Sequence, residues 1–147
     1  MNRRDIVNSS SPSDLNWLID GLVDRIAGVR FAVVLSTDGL VLGRSSAMSR
    51  EDAEHFGAMS ATLYGLARSA GGRFGGGAVQ QAVIELASAV LFVTAAGENA
   101  CIALQVGTEV SLGLVAYEMN VTVQRIGTLL STGSRQAQVL QLRAPNT

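Results

Sequence analysis

Between Ala78 and Val106 the chain passes through three apolar stretches, Ala78–Leu86, Val90–Ala95 and Ala100–Val106, separated only by Ala87-Ser88 and Ala96-Gly97-Glu98-Asn99. Connections this short cannot carry a crossover, so the three read as strands of an antiparallel meander. The second and third are apolar at successive positions, and such strands are covered on both faces. They belong at the centre of a sheet with helices on either side. The first carries Gln80, Gln81 and Glu85 and suits an edge.

Upstream, Val29–Ser36 is apolar on both alternating faces apart from Arg30 and Ser36. Thr37-Asp38-Gly39 is a turn signal, and Leu40–Arg44 resumes as a strand, giving a hairpin with Gly39 in the left-handed position. In Asp14–Ala27 the residues Leu15, Leu18, Ile19, Leu22, Val23 and Ile26 recur at helical spacing, with Ser13 or Asp14 as cap and Gly28 as exit. Ser49 opens a second helix, with Glu51 and Asp52 at its positive dipole end, and Gly71-Gly72 is expected to stop it near Ser69 or Ala70. A third helix is predicted over Leu112–Leu130. Its stripe is Leu112, Val115, Ala116, Met119, Val123, Ile126 and Leu130. The order is helix, hairpin, helix, meander, helix: an α/β chain of the α+β kind, with five antiparallel strands and helices on both sides. Residues 1–12 read as a flexible tail, residues 13–130 as one domain, and residues 131–147 as a polar tail of uncertain structure.

Composition excludes several classes of function. Charged residues make up 16% of the 147, against about 25% in an ordinary soluble domain, so part of the surface is expected to be covered by a partner. A net charge of -1 offers no field to hold nucleic acid or anionic lipid. Every basic residue is arginine, which removes Schiff-base chemistry and lysine-dependent phosphate sites. Cys101 and His55 stand alone in their residue types, too few for a disulfide, a zinc site or a catalytic triad. The single cysteine fits a reducing compartment, so a cytoplasmic location is expected. No long apolar run suggests a membrane span. The glycine-rich run Gly71–Gly77 lacks the lysine of a phosphate loop, is followed by Ala78 and Val79, and precedes a strand where such a loop precedes a helix, so it reads as a connector. Cys101 lies in an apolar strand, where burial raises a thiol pKa and makes it inert. No catalytic residue, cofactor or metal is expected.

The second helix carries the strongest functional signal. From His55 to Ala67 it has no residue with a full charge at neutral pH. One face, Ala53, Phe56, Met59, Ser60, Leu63, Leu66, Ala67 and Ala70, is assigned to the sheet. The opposite side carries Gly57, Ala58, Ala61, Thr62 and Gly65, with Tyr64 at its margin. A helix facing water is charged there. Two interior glycines each cost roughly 0.5–1 kcal/mol against alanine, which suggests a packing reason. The Gly57/Ala61/Gly65 ridge therefore reads as a self-association face, the alternative being a neutral solvated face. Trp17 falls far from the first helix's apolar stripe and reads either as a partner anchor or as covered by the N-terminal tail or the third helix.

Two segments suggest a family: Val33-Val34-Leu35-Ser36-Thr37-Asp38-Gly39-Leu40-Val41 and Leu112-Gly113-Leu114-Val115-Ala116-Tyr117-Glu118-Met119. With the element order and the Asp14-Leu15-Asn16-Trp17-Leu18 opening, the chain resembles the bacterial branch of the roadblock / dynein light chain 7 family over about Asp14 to Leu130. The resemblance implies a profilin-like layout, a five-stranded sheet with the second helix on one face and the first and third on the other. It implies a homodimer through the second helix and the edge strand after it, with Gly57, Ala58, Ala61, Thr62, Tyr64, Gly65 and Gln81 at the interface. It further implies a Ras-like small GTPase as partner, a sensor kinase complex as setting, recruitment to the membrane only through partners, and no enzymatic site. A pure scaffold subunit and a profilin- or PAS-like small-molecule sensor are the competing readings. A sensor would show a hollow between sheet and helix.

Overall fold

The computed structural model describes the backbone over residues 12–143 and side chains over residues 14–129. Helix α1 spans Pro12–Arg25, strand β1 Val29–Ser36, strand β2 Val41–Arg44 and helix α2 Arg50–Arg73. Strands β3 (Ala82–Glu85), β4 (Val90–Ala95) and β5 (Ala100–Val106) follow, and helix α3 runs over Leu112–Arg143. The strands form one antiparallel sheet in the order β2-β1-β5-β4-β3, so the most apolar strand, β5, is central.

Alternation along the strands divides the core in two. Val34, Ile102, Leu104 and Phe92 point to one face, where Leu15, Ile19 and Leu22 of α1 and Val115, Met119 and Ile126 of α3 cover them. Val33, Leu35, Val93, Cys101 and Ala103 point to the other, beneath Ala53, Phe56 and Tyr64 of α2. The expected three-layer arrangement, one helix against two, is the one observed. In the α2 layer the helix itself buries Ala53, Gly57 and Ser60 beside two aromatics, and Phe31 and Phe56 stack edge-on, 4.8 Å between centroids.

Local chemistry accounts for the boundaries. Pro12 opens α1, at the position where its missing N–H is no loss. Gly28 adopts φ 97°, and a Cβ there would lie 2.3 Å from the Val110 side chain, so only glycine fits. Gly39, also at φ 97°, closes the β1–β2 hairpin, with the Ser36 N–H donating to Leu40 C=O at 2.8 Å. Ser49 caps α2 by accepting from Asp52 N–H at 3.0 Å. The expected stop at Gly71-Gly72 is not observed. Both stay helical, and the first left-handed residue is Gly75, after the last capping bond from Phe74 N–H to Ala70 C=O. Glycine permits an exit without forcing one.

Two further expectations are corrected. Strand β3 begins at Ala82 where Ala78 was expected, since the backbone ladder with β4 starts only at Ala82↔Val93. Helix α3 does not end at Leu130 but continues to Arg143, since no proline interrupts it before Pro145. The expected N-terminal tail, save Pro12, and residues 144–147 lie outside the described residues.

Candidate interaction surface

The two edges of the sheet are finished differently. At β2, the Arg44 N–H donates to Asn16 Oδ1 of α1 at 2.8 Å, and just beyond the strand Ser46 N–H donates to Asp20 Oδ1 at 2.8 Å. Helix α1 also lies directly on this edge, since a Cβ on Gly43 would come within 2.9 Å of Leu15 Cβ. At β3, among the described residues, no side chain bonds the outer backbone groups, and Val83 and Leu86 are exposed. An open apolar edge of this kind is a template for adding another strand.

In its middle, α2 presents Ala58, Met59, Thr62, Gly65 and Leu66 outward. Met59 is 62% and Leu66 69% exposed. Phe74, just past the end of α2, is exposed as well. Between Ala58 and Leu66 the outer face of α2 is therefore uncharged, but it is not the face assigned from the sequence. The buried residues are Ala53, Phe56, Gly57, Ser60 and Tyr64, a stripe turned toward Gly57. The reason is close approach: a Cβ at Gly57 would meet Val41 Cγ2 at 3.0 Å and the Gly39 carbonyl oxygen at 3.7 Å. Gly57 seats α2 on its own hairpin.

Of the residues assigned to a dimer interface, Ala58, Thr62 and Gly65 lie on the open surface and Ala61 is half-buried near Gly39. Gly57 and Tyr64 are packed inside the chain and are removed from that surface. Gln81 is half-buried and turned to the α3 side, its amide nitrogen 3.4 Å from Thr94 Oγ1 and 3.9 Å from Met119 Sδ. Sequence reasoning missed Met59 and Leu66. Their spacing of seven residues places them on one stripe, but their size argued for the core.

A groove of about 470 Å³ opens between the first half of α2 and strands β1 and β5, with Arg30, Asp52, His55 and Gln105 around Phe31 and Phe56. Cys101 is fully buried beneath α2, and burial pushes its thiol up from 9.0 to about 11, out of reach of nucleophilic chemistry near neutrality. Trp17 is exposed on α1, on the side of the sheet opposite α2. No described helix is long and apolar enough to cross a membrane.

Comparison with known proteins agrees with this architecture. The structure of a Roadblock/LC7 domain from Streptomyces avermitilis superposes with a TM-score of 0.76 at 42% identity, covering 79% of this chain and 97% of that one. Myxococcus xanthus MglB shares the fold with a TM-score of 0.76 at 14% identity, over 84% and 92% of the two chains. Acanthamoeba castellanii profilin II shares it more distantly, with a TM-score of 0.54 at 14% identity over 78% and 97%. The family model of the Roadblock/LC7 domain matches residues 15–106, which spans the first helix and all five strands. The chain belongs to the Roadblock/LC7 domain family.

Proposed function

We propose that this chain is a non-catalytic regulatory module that pairs with a second copy through β3 and the outer face of α2, and that the pair binds a Ras-like small GTPase. The observation that carries the reading is the open β3 edge together with the uncharged exposed stretch Ala58–Leu66 of α2. Strand addition would join two sheets through backbone hydrogen bonds, and Met59, Leu66 and Val83 would supply apolar contact. Ala58, Thr62 and Gly65 are small enough to let a second α2 approach. The GTPase partnership is the expectation carried by membership of the Roadblock/LC7 family.

Regulation would operate by differential binding. A GTPase orders its switch segments around the nucleotide, so a partner that touches them gains affinity for one state over the other. This chain would contribute no nucleophile and no cofactor to hydrolysis. The test is the affinity of the protein for a Ras-like small GTPase from the same cell, loaded with a GTP analogue or with GDP, expected to differ by tenfold or more, about 1.4 kcal/mol. Equal affinities would leave the scaffold reading standing. No binding in either state would sink the GTPase reading. The groove beside His55 supports the sensor reading as second choice. A small molecule seated over Phe31 and Phe56 would raise the melting temperature saturably.

A further inference from the structure

Trp17 is 72% exposed and stands beside a groove of about 470 Å³ that α1 and α3 leave between them. The groove is lined by Asp14, Trp17, Leu18, Arg125, Thr128 and Leu129. An exposed tryptophan next to an apolar hollow is the composition of an interface anchor and its socket. The surface lies across the sheet from α2, and so takes no part in the β3 pairing.

We infer that this groove is a second self-association surface, in which the Trp17 edge of one copy enters the groove of another across a two-fold axis. The argument is charge. The two ionisable side chains of the groove are opposite in sign and stand on different helices, Asp14 on α1 and Arg125 on α3. Among the described residues neither forms an ion pair; the pairs present are Arg25–Glu118 and Arg50–Glu54. A two-fold operation sets the same patch against itself and makes every contact reciprocal, so an axis passing between Asp14 and Arg125 pairs the two across the copies. Asp14 of one copy then faces Arg125 of the other, twice, around an apolar centre of Trp17, Leu18 and Leu129. A foreign partner would have to supply this pattern; a second copy already holds it. The low charged fraction, 16%, fits a chain with more than one covered face. The inference stands independently of the β3 pairing, and with both surfaces filled, dimers would join into larger assemblies.

Trp17 is the chain's one tryptophan, so its fluorescence reports on this site alone. The experiment is sedimentation velocity of the full chain over a wide concentration range, with tryptophan emission recorded on the same samples. The native protein should gain mass with concentration while its emission shifts to the blue. Trp17→Ala should weaken this step at least about thirtyfold, the scale of a buried aromatic anchor. Asp14→Arg and Arg125→Asp should each weaken it about threefold, as modest ion pairs do. The doubly exchanged variant should recover it, because its charges are again complementary. Val83→Pro separates the two surfaces. Its mass gain should remain and still depend on Trp17, even if the β3 pairing itself proves absent. Emission that is already blue and independent of concentration would mean that the chain covers its own Trp17, and would overturn the inference. So would a mass gain indifferent to Trp17→Ala, a doubly exchanged variant that fails to recover, or a blue shift produced only by the GTPase.

Discussion

At the β2 edge an outward backbone donor ends on a side chain of the same molecule, Asn16, and α1 stands guard over the strand. At the β3 edge the strand is only four residues long, its exposed Val83 has no covering helix, and an uncharged helix face continues the surface. The two edges belong to one sheet and share its apolar character. What differs is whether the polypeptide has supplied its own partner. Under the proposed pairing, blocking one edge and leaving the other open directs association to one side.

The contrast is broken most directly at the open edge. In an antiparallel pair, alternate residues turn their N–H toward the neighbouring strand. The Leu86 N–H is committed to Ala89 C=O at 2.8 Å, so those of Ile84 and Ala82 also face β4, and those of Val83 and Glu85 face out. Val83→Pro therefore removes an outward donor while sparing the ladder within the chain. Because one hydrogen bond is lost on each side of the two-fold, it should weaken the dimer by about 3 kcal/mol, seen by light scattering, with an unchanged circular dichroism spectrum. Ile84→Pro should instead unfold the edge. Retention of a β3-paired dimer by Val83→Pro would sink the strand-addition reading. A smaller effect is expected from Leu66→Arg, which would set an unpaired charge against the partner helix and weaken the dimer by about 2 kcal/mol. If the dimer is indifferent to this change, α2 lies outside the interface. The smallest effect sits at the closed edge. Asn16→Ala would leave the Arg44 N–H without its partner and should destabilise the fold by about 1 kcal/mol in chemical denaturation, with dimer affinity untouched.

Much of the fold was legible in the sequence, for a physical reason that also marks the limit. Strand β1 was placed at its observed ends because apolar residues on both alternating faces are bounded by Gly28 and by the Thr37-Asp38-Gly39 turn. The central position of β5 followed from its lack of a polar face. The face of α2 was misread because hydrophobic size is a poor guide where helix and sheet pack closely. Gly57 is buried because it is small, and Leu66 is exposed although it is large. No count of apolar residues distinguishes a glycine that lets two elements touch from one that faces solvent. That difference is set by Val41 and Gly39, which are distant in sequence. The groove at Trp17 was half legible: α1's periodicity placed the indole outside the stripe, but only the fold brings Arg125 and Leu129 to it.

The thinness of the layer beneath α2 has a consequence for how the molecule breathes. One side of the sheet is locked by two helices with leucine, isoleucine and methionine side chains. The other is held by one helix that buries an alanine, a glycine, a serine and two aromatics. Detaching α2 exposes less apolar surface than detaching the α1–α3 pair, so it is the cooperative unit expected to open first, below the free energy of global unfolding. Its amides should exchange with solvent ahead of those in β1 and β5. The helix proposed to meet partners is thus also the one least secured by its own chain, and a protein that covered its outer face would slow that exchange and hold the domain closed.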